Sequence, residues 1–171
     1  MITLWRGILY LTRYELLIAM GIAYSWMPTM LDIYATDKKH LKQLLPLVKY
    51  LRSIKNLYDF DKNAKKIEEC LVKITPVINN SIVGTSKVLH IFSPQNIPII
   101  DRNVLKGWNI TFKKYYKKYP DLRLPMNIPV TTSRQVSAFM KYWRLLFLFK
   151  VNTKTKSIRQ LEEPFYWIGM K

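Results

Sequence analysis

The sequence predicts an all-α fold: a compact helical domain with a hairpin-like helix pair around residues 79–108. Three observations predict it. Apolar residues recur at three- and four-residue steps in several segments, no convincing strand alternation is present, and Asp, Ser, Thr and Pro stand where those segments begin or end. The 171 residues fit one domain spanning 1–171, with residues 1–37 as an apolar helical extension packed on a basic remainder. A hydrophobic fraction of 49% is ample for a core, and 5 Gly with 9 Pro leave little room for flexible linkers.

Leu16 to Leu31 runs without a charged residue. It is shorter than the roughly 20 apolar residues of a membrane span, and Gly21 and Pro28 interrupt it, so it reads as a buried core helix. Asp32 is placed to begin a further short helix or turn. Over 38–57, Leu41, Leu44, Val48 and Leu51 make an apolar stripe, while Lys38, Lys42, Lys49 and Arg52 share another face if the helix is continuous. Pro46 argues that a second helix starts there. Asp61 is the expected N-cap of the next helix, whose stripe is Ala64, Ile67, Leu71 and Ile74, and Pro76 ends it.

From residue 109 the chain reads as irregular and basic, broken by Pro120, Pro125 and Pro129. Thr132 or Ser133 then caps a helix running to about Lys150. Its wide apolar face of Val136, Phe139, Met140, Trp143, Leu146 and Phe147 makes it central to the fold. Ser157 caps a last segment with Ile158, Leu161, Phe165 and Ile168 inward, and Pro164 kinks it, ends it or opens a new turn. The five tryptophans, Trp5, Trp26, Trp108, Trp143 and Trp167, read as core residues.

The charge is the strongest signal. Lys and Arg number 28 against 11 Asp and Glu, a formal net charge of +17. Such an excess repels itself and is most easily tolerated when a polyanion neutralises part of it. Nucleic acid is therefore the expected partner, DNA ahead of RNA; a solvated basic surface and an acidic protein or membrane partner are the alternatives. The excess begins at Lys38: residues 1–37 carry Arg6 and Arg13 against Glu15, Asp32 and Asp37. The lone Cys70 forms no internal disulfide and reads as a small buried hydrophobe. With no cleavable signal pattern, a reducing cytoplasm is the expected compartment. Two His and one Cys far apart show no zinc spacing, so neither metal nor cofactor is expected.

The most informative stretch is 79–108. Asn79-Asn80-Ser81 forms a turn, and Ile82-Val83-Gly84 leads into Thr85 or Ser86 as N-cap, with Lys87 in the first helical turn. Ser93-Pro94 stops that helix, Ile97-Pro98-Ile99-Ile100 is an extended apolar link, and Asp101 caps a second helix bearing Val104, Leu105 and Trp108. A helix start after a glycine turn offers free N–H groups to an anion, so Gly84, Thr85 and Ser86 are candidate phosphate contacts. His90 has no carboxylate nearby in sequence and reads as a structural histidine sooner than a general base.

Gly84-Thr85-Ser86-Lys87 and Ile97-Pro98-Ile99-Ile100-Asp101 together resemble the hairpin and catalytic segment of the helix-hairpin-helix DNA glycosylases, the superfamily of endonuclease III-like and 8-oxoguanine glycosylases. The resemblance covers residues 79–108; a single glycine stands for the family's Gly-x-Gly, and no four-cysteine iron–sulfur set follows. It implies a base-excision site in which Lys87 attacks the sugar carbon as the base leaves and Asp101 stabilises the developing sugar cation. On the residues alone, Asp101 is equally an ordinary N-cap and Lys87 a solvated helix residue. A non-catalytic DNA-binding or ribosome-associated RNA-binding protein is the rival expectation.

Phe112-Lys113-Lys114-Tyr115-Tyr116-Lys117-Lys118-Tyr119 interleaves cations with rings. Lys113, Lys114, Lys117 and Lys118 are candidate phosphate contacts, and the tyrosines either stack on bases or cover the core.

Overall fold

The computed structural model describes residues 11–25, 27, 38–155 and 157–171. Among these the chain forms α-helices and short 3-10 turns, with no strand. The helices are α1 (Arg13–Ser25), α2 (Lys38–Arg52), α3 (Leu57–Lys62), α4 (Ala64–Ile74), α5 (Ile82–Phe92), α6 (Arg102–Phe112), α7 (Thr132–Thr153) and α8 (Ile158–Met170). The helix pair expected at 79–108 is α5 and the start of α6. The expectations for Trp5, Trp26, Asp32, the side chain of Lys38 and the chain from Pro28 to Leu31 lie outside the described residues.

Local chemistry accounts for most of the boundaries. Thr12 and Glu15 cap α1 reciprocally: the Thr12 N–H donates to Glu15 Oε2 at 2.6 Å and the Glu15 N–H to Thr12 Oγ1 at 3.4 Å. Asn56, Ser81, Asp101 and Ser157 each accept a backbone N–H three residues on, starting α3, α5, α6 and α8. Asn79 and Asn80 take the left-handed conformation, φ 51° each, in the turn before α5.

Several boundaries differ from the sequence expectation. Pro46 lies inside an unbroken α2. Its missing N–H forfeits one helical bond, and burial of Leu41, Leu44, Val48 and Leu51 on one face outweighs that loss. Asp61 caps nothing; it belongs to α3 and accepts both Nε (2.7 Å) and Nη2 (3.0 Å) of Arg144 on α7, while Asn63 precedes α4. Thr131, not Thr132 or Ser133, occupies the cap position of α7. The stretch from 109 stays helical to Phe112, and α8 runs through Pro164 without a break.

One hydrophobic cluster contains side chains from α1 through the start of α8. α7 runs through it, with Val136, Phe139, Tyr142, Trp143 and Leu146 fully buried. Trp143 sets its ring edge-on to Phe60 at 5.2 Å and donates its Nε1–H to the Asn96 carbonyl at 2.6 Å. Trp108 is equally buried and donates to the Leu122 carbonyl at 2.7 Å. Trp167, by contrast, is 57% exposed on α8 and is not core. Cys70 is buried as expected, and burial pushes its thiol up. α1 lays Leu16, Ala19, Met20 and Ala23 against α5 and α2. No helix among the described residues is long and apolar enough to cross a membrane.

The closest helix crossing is between α6 and α8, which run antiparallel. A Cβ on Gly107 would stand 1.8 Å from the Phe165 carbonyl oxygen, and one on Gly169 1.8 Å from that of Asn103. The two backbones touch because two glycines face across the crossing. That approach brings the first half of α8 beside the link that enters α6.

Candidate functional site

The link from Ser93 to Asp101 is tied down on three sides. The Ile97 carbonyl meets His90 Nδ1 of α5 at 2.6 Å, the Ile99 N–H donates to Glu162 Oε2 of α8 at 2.9 Å, and the Ile100 N–H donates to Ser86 Oγ of α5 at 3.2 Å. Trp143 holds it from α7. Because the Ile97 carbonyl only accepts, His90 carries its hydrogen on Nδ1. Burial pushes the His90 imidazole down to about 4, so it is neutral at pH 7 and structural.

Held this way, the link presents Ile99 and Asp101 to a cavity of about 280 Å³ that Lys87 closes from α5 and Arg159, Glu162 and Tyr166 close from α8. Lys87 and Asp101, 14 positions apart, thus face one cleft. Asp101 also caps α6, Oδ1 accepting the Val104 N–H at 2.8 Å. Burial draws the Lys87 ammonium below the ordinary lysine range, and the Asp101 charge opposes that shift in part. The cleft therefore holds an amine that loses its proton more easily than a surface lysine, beside a carboxylate.

Glu162 was not among the residues singled out from sequence. Its side chain is 1% exposed; Oε1 accepts Nη1 of Arg159 at 2.9 Å while Oε2 holds the Ile99 N–H. Burial pushes its carboxyl up to about 7, against the opposing pull of those two donors. Tyr142 of α7 completes the surroundings: its hydroxyl is fully buried, has no hydrogen-bond partner among the described residues, and is pushed up first by burial and then by the charges of Glu162 and Asp101. A signal for Glu162 was present in the sequence. It falls four residues after Ile158 and seven before Gly169, on the stripe that α8 turns inward.

The segment before Lys87 is arranged differently from the sequence expectation. Ser81, not Thr85 or Ser86, caps α5, its Oγ accepting the Gly84 N–H at 3.1 Å; Gln135 Oε1 takes the Ile82 N–H at 2.9 Å. Gly84, Thr85 and Ser86 are consequently buried within the helix, and Lys87 lies in its second turn. They offer no surface to a phosphate. Gly84 is required by packing: a Cβ there would stand 2.7 Å from the Tyr24 hydroxyl, which donates to the Ile78 carbonyl.

Lys113, Lys114, Lys117 and Lys118 are all exposed or nearly so, in the 3-10 turn and loop after α6. The rings divide. Phe112 stacks on Phe149 at 5.4 Å and Tyr116 donates its hydroxyl to Asn109 Oδ1, whereas Tyr115 and Tyr119 face outward beneath Lys114 and Lys118. A second set of cations lies near the α2 end, where burial and then Arg52 draw the Lys55 ammonium down, and burial and then Lys55 draw Lys150 down. Among the described residues, no group of three or more His, Cys, Asp and Glu is placed to hold a metal ion.

No family model, no curated protein and no solved structure matches this chain.

Proposed function

We propose that this chain is a cytoplasmic nucleic-acid-binding protein resembling a compact helix-hairpin-helix DNA glycosylase, with a base-excision site formed by Lys87 and Asp101. The observation that carries the reading is their shared cleft of about 280 Å³. Enclosed ligand sites run from roughly 300 Å³ upward, so the space suits one small group, such as an extruded base, sooner than a whole nucleotide.

The roles follow from chemistry. Lys87 Nζ, deprotonated at modest cost because of its burial, attacks C1′ of the flipped nucleotide. Asp101, on the side of the cleft where α6 begins, stabilises positive charge developing on the sugar. The +17 charge supplies the affinity for phosphate, and Lys113, Lys114, Lys117 and Lys118 are the residues we assign to the backbone.

The test is borohydride trapping on duplexes carrying single damaged bases: 8-oxoguanine, hypoxanthine, thymine glycol and uracil. A covalent adduct that Lys87→Ala abolishes supports the site. Tight duplex binding with no adduct on any lesion, or on an abasic site, overturns the enzymatic reading and leaves a binding module. One observation favours that second reading: Asp101 Oδ1 is already committed to capping α6. Preference for structured RNA over duplex would then point to the ribosome-associated form.

A further inference from the structure

Glu162 has no part in the site as read from sequence, yet it closes the same cavity as Lys87 and Asp101. Burying a carboxylate is costly unless it is paired, and Glu162 has one charged partner, Arg159, itself 46% exposed. Its second oxygen is fixed by a backbone N–H, which orients the carboxyl without neutralising it. The groups around it are Lys87 from α5, Asp101 from the link, the Tyr142 hydroxyl from α7, which has no hydrogen-bond partner among the described residues, and Arg159 and Tyr166 from α8. Two carboxyl groups in one small cleft in such different surroundings divide acid from base. Asp101 stands at the start of α6, while burial pushes the carboxyl of the deeper Glu162 up to about 7.

We infer that Glu162 is the general acid of the cleft, protonating the departing base while Lys87 attacks; this rests on the base-excision reading above. The C1′–N bond breaks and its electron pair leaves on the base nitrogen, which takes the proton from the Glu162 carboxyl. The lone pair of Lys87 Nζ forms the new bond to C1′. The resulting secondary ammonium gives one proton to the Asp101 carboxylate; the C1′–O4′ bond then breaks as the nitrogen lone pair forms C1′=N, O4′ takes the proton back from Asp101, and the protonated Schiff base left on Lys87 is the species borohydride reduces. Arg159 stabilises Glu162 once it is ionised, through the Nη1–Oε1 hydrogen bond already in place.

A preformed abasic site separates this step from the rest, because no base remains to be protonated. Glu162→Gln keeps an acceptor for the Ile99 N–H and removes the transferable proton. Base release from the lesion duplex that the wild-type protein cleaves fastest, among the same panel of four, falls by about 10²–10⁴-fold in E162Q. Borohydride trapping of E162Q on the abasic duplex falls at least about tenfold less than base release does, and circular dichroism confirms the fold. Equal losses on both duplexes, or no loss on either, overturn the assignment. A wild-type protein that traps neither duplex overturns the base-excision reading itself, a distinct result.

Discussion

The Ile99 N–H donates to Glu162 Oε2 at 2.9 Å, joining positions 63 residues apart. That bond fixes the link two residues before Asp101 against α8, and so sets where the Asp101 carboxylate stands relative to Lys87. It also leaves a buried carboxyl whose protonation is coupled to folding.

The pH dependence of stability follows from two groups of opposite sign. Glu162 is raised from 4.5 to about 7, so the folded protein binds the extra proton and Glu162 favours folding below pH 4.5, an advantage lost as pH rises through 7. His90 is lowered from 6.5 to about 4, so it favours folding above pH 6.5 and loses that advantage as pH falls toward 4. In their overlap the two slopes cancel and wild-type stability is nearly flat. In E162Q only His90 remains, and stability drops by at most about 1.4 kcal/mol per pH unit on acidification through that window. Urea melts at stepped pH check this; a flat profile in both proteins would refute it.

Asp101 has separable structural and chemical roles. Asp101→Ala removes the acceptor for the Val104 N–H and costs about 1 kcal/mol of stability. Asp101→Asn keeps an acceptor, melts within about 0.5 kcal/mol of wild type, and loses Lys87-dependent trapping because the carboxylate charge is gone. Thermal melts beside trapping assays distinguish the two variants.

Gly107 and Gly169 should tolerate nothing larger. A Cβ at either would meet backbone 1.8 Å away, which no side-chain adjustment relieves, so Gly107→Ala and Gly169→Ala each cost about 3 kcal/mol or more. Gly21 is the control: exposed on α1 with nothing among the described residues within 4 Å of its missing Cβ, it gains about 0.5–1 kcal/mol as alanine. Chemical denaturation of the three variants orders them.

The lysines after α6 bear on affinity and not on folding. Replacing Lys113, Lys114, Lys117 and Lys118 together by Gln leaves the melting temperature unchanged and weakens duplex binding. The slope of log K against log salt becomes shallower by about 0.9 for each phosphate that is no longer neutralised. An unchanged slope would remove these residues from the interface.

Features that depend on neighbours three or four positions away are legible in the chain alone. The stripe Leu41, Leu44, Val48 and Leu51, the caps at Asp101 and Ser157, and the broad apolar face of α7 are local, and they form as their spacing dictates. Where two local solutions competed, tertiary packing chose. Thr85 and Ser86 are the caps the glycine turn suggests, yet α5 starts at Ser81, with Gly84 packed under Tyr24 inside the helix. Pro46 stayed within α2 because the buried stripe continues past it.

The site itself was half legible. Lys87 and Asp101 stand in a recognisable string, but Glu162 and Glu163 are adjacent and alike in sequence, and only one is buried. What separates them is the rotation of α8 about its axis, fixed where Gly107 and Gly169 let its backbone lie against α6. Local spacing puts position 162 on one stripe with Ile158, but which partner that stripe faces is set by packing volume far away in the chain, and that packing put a carboxyl beside Lys87.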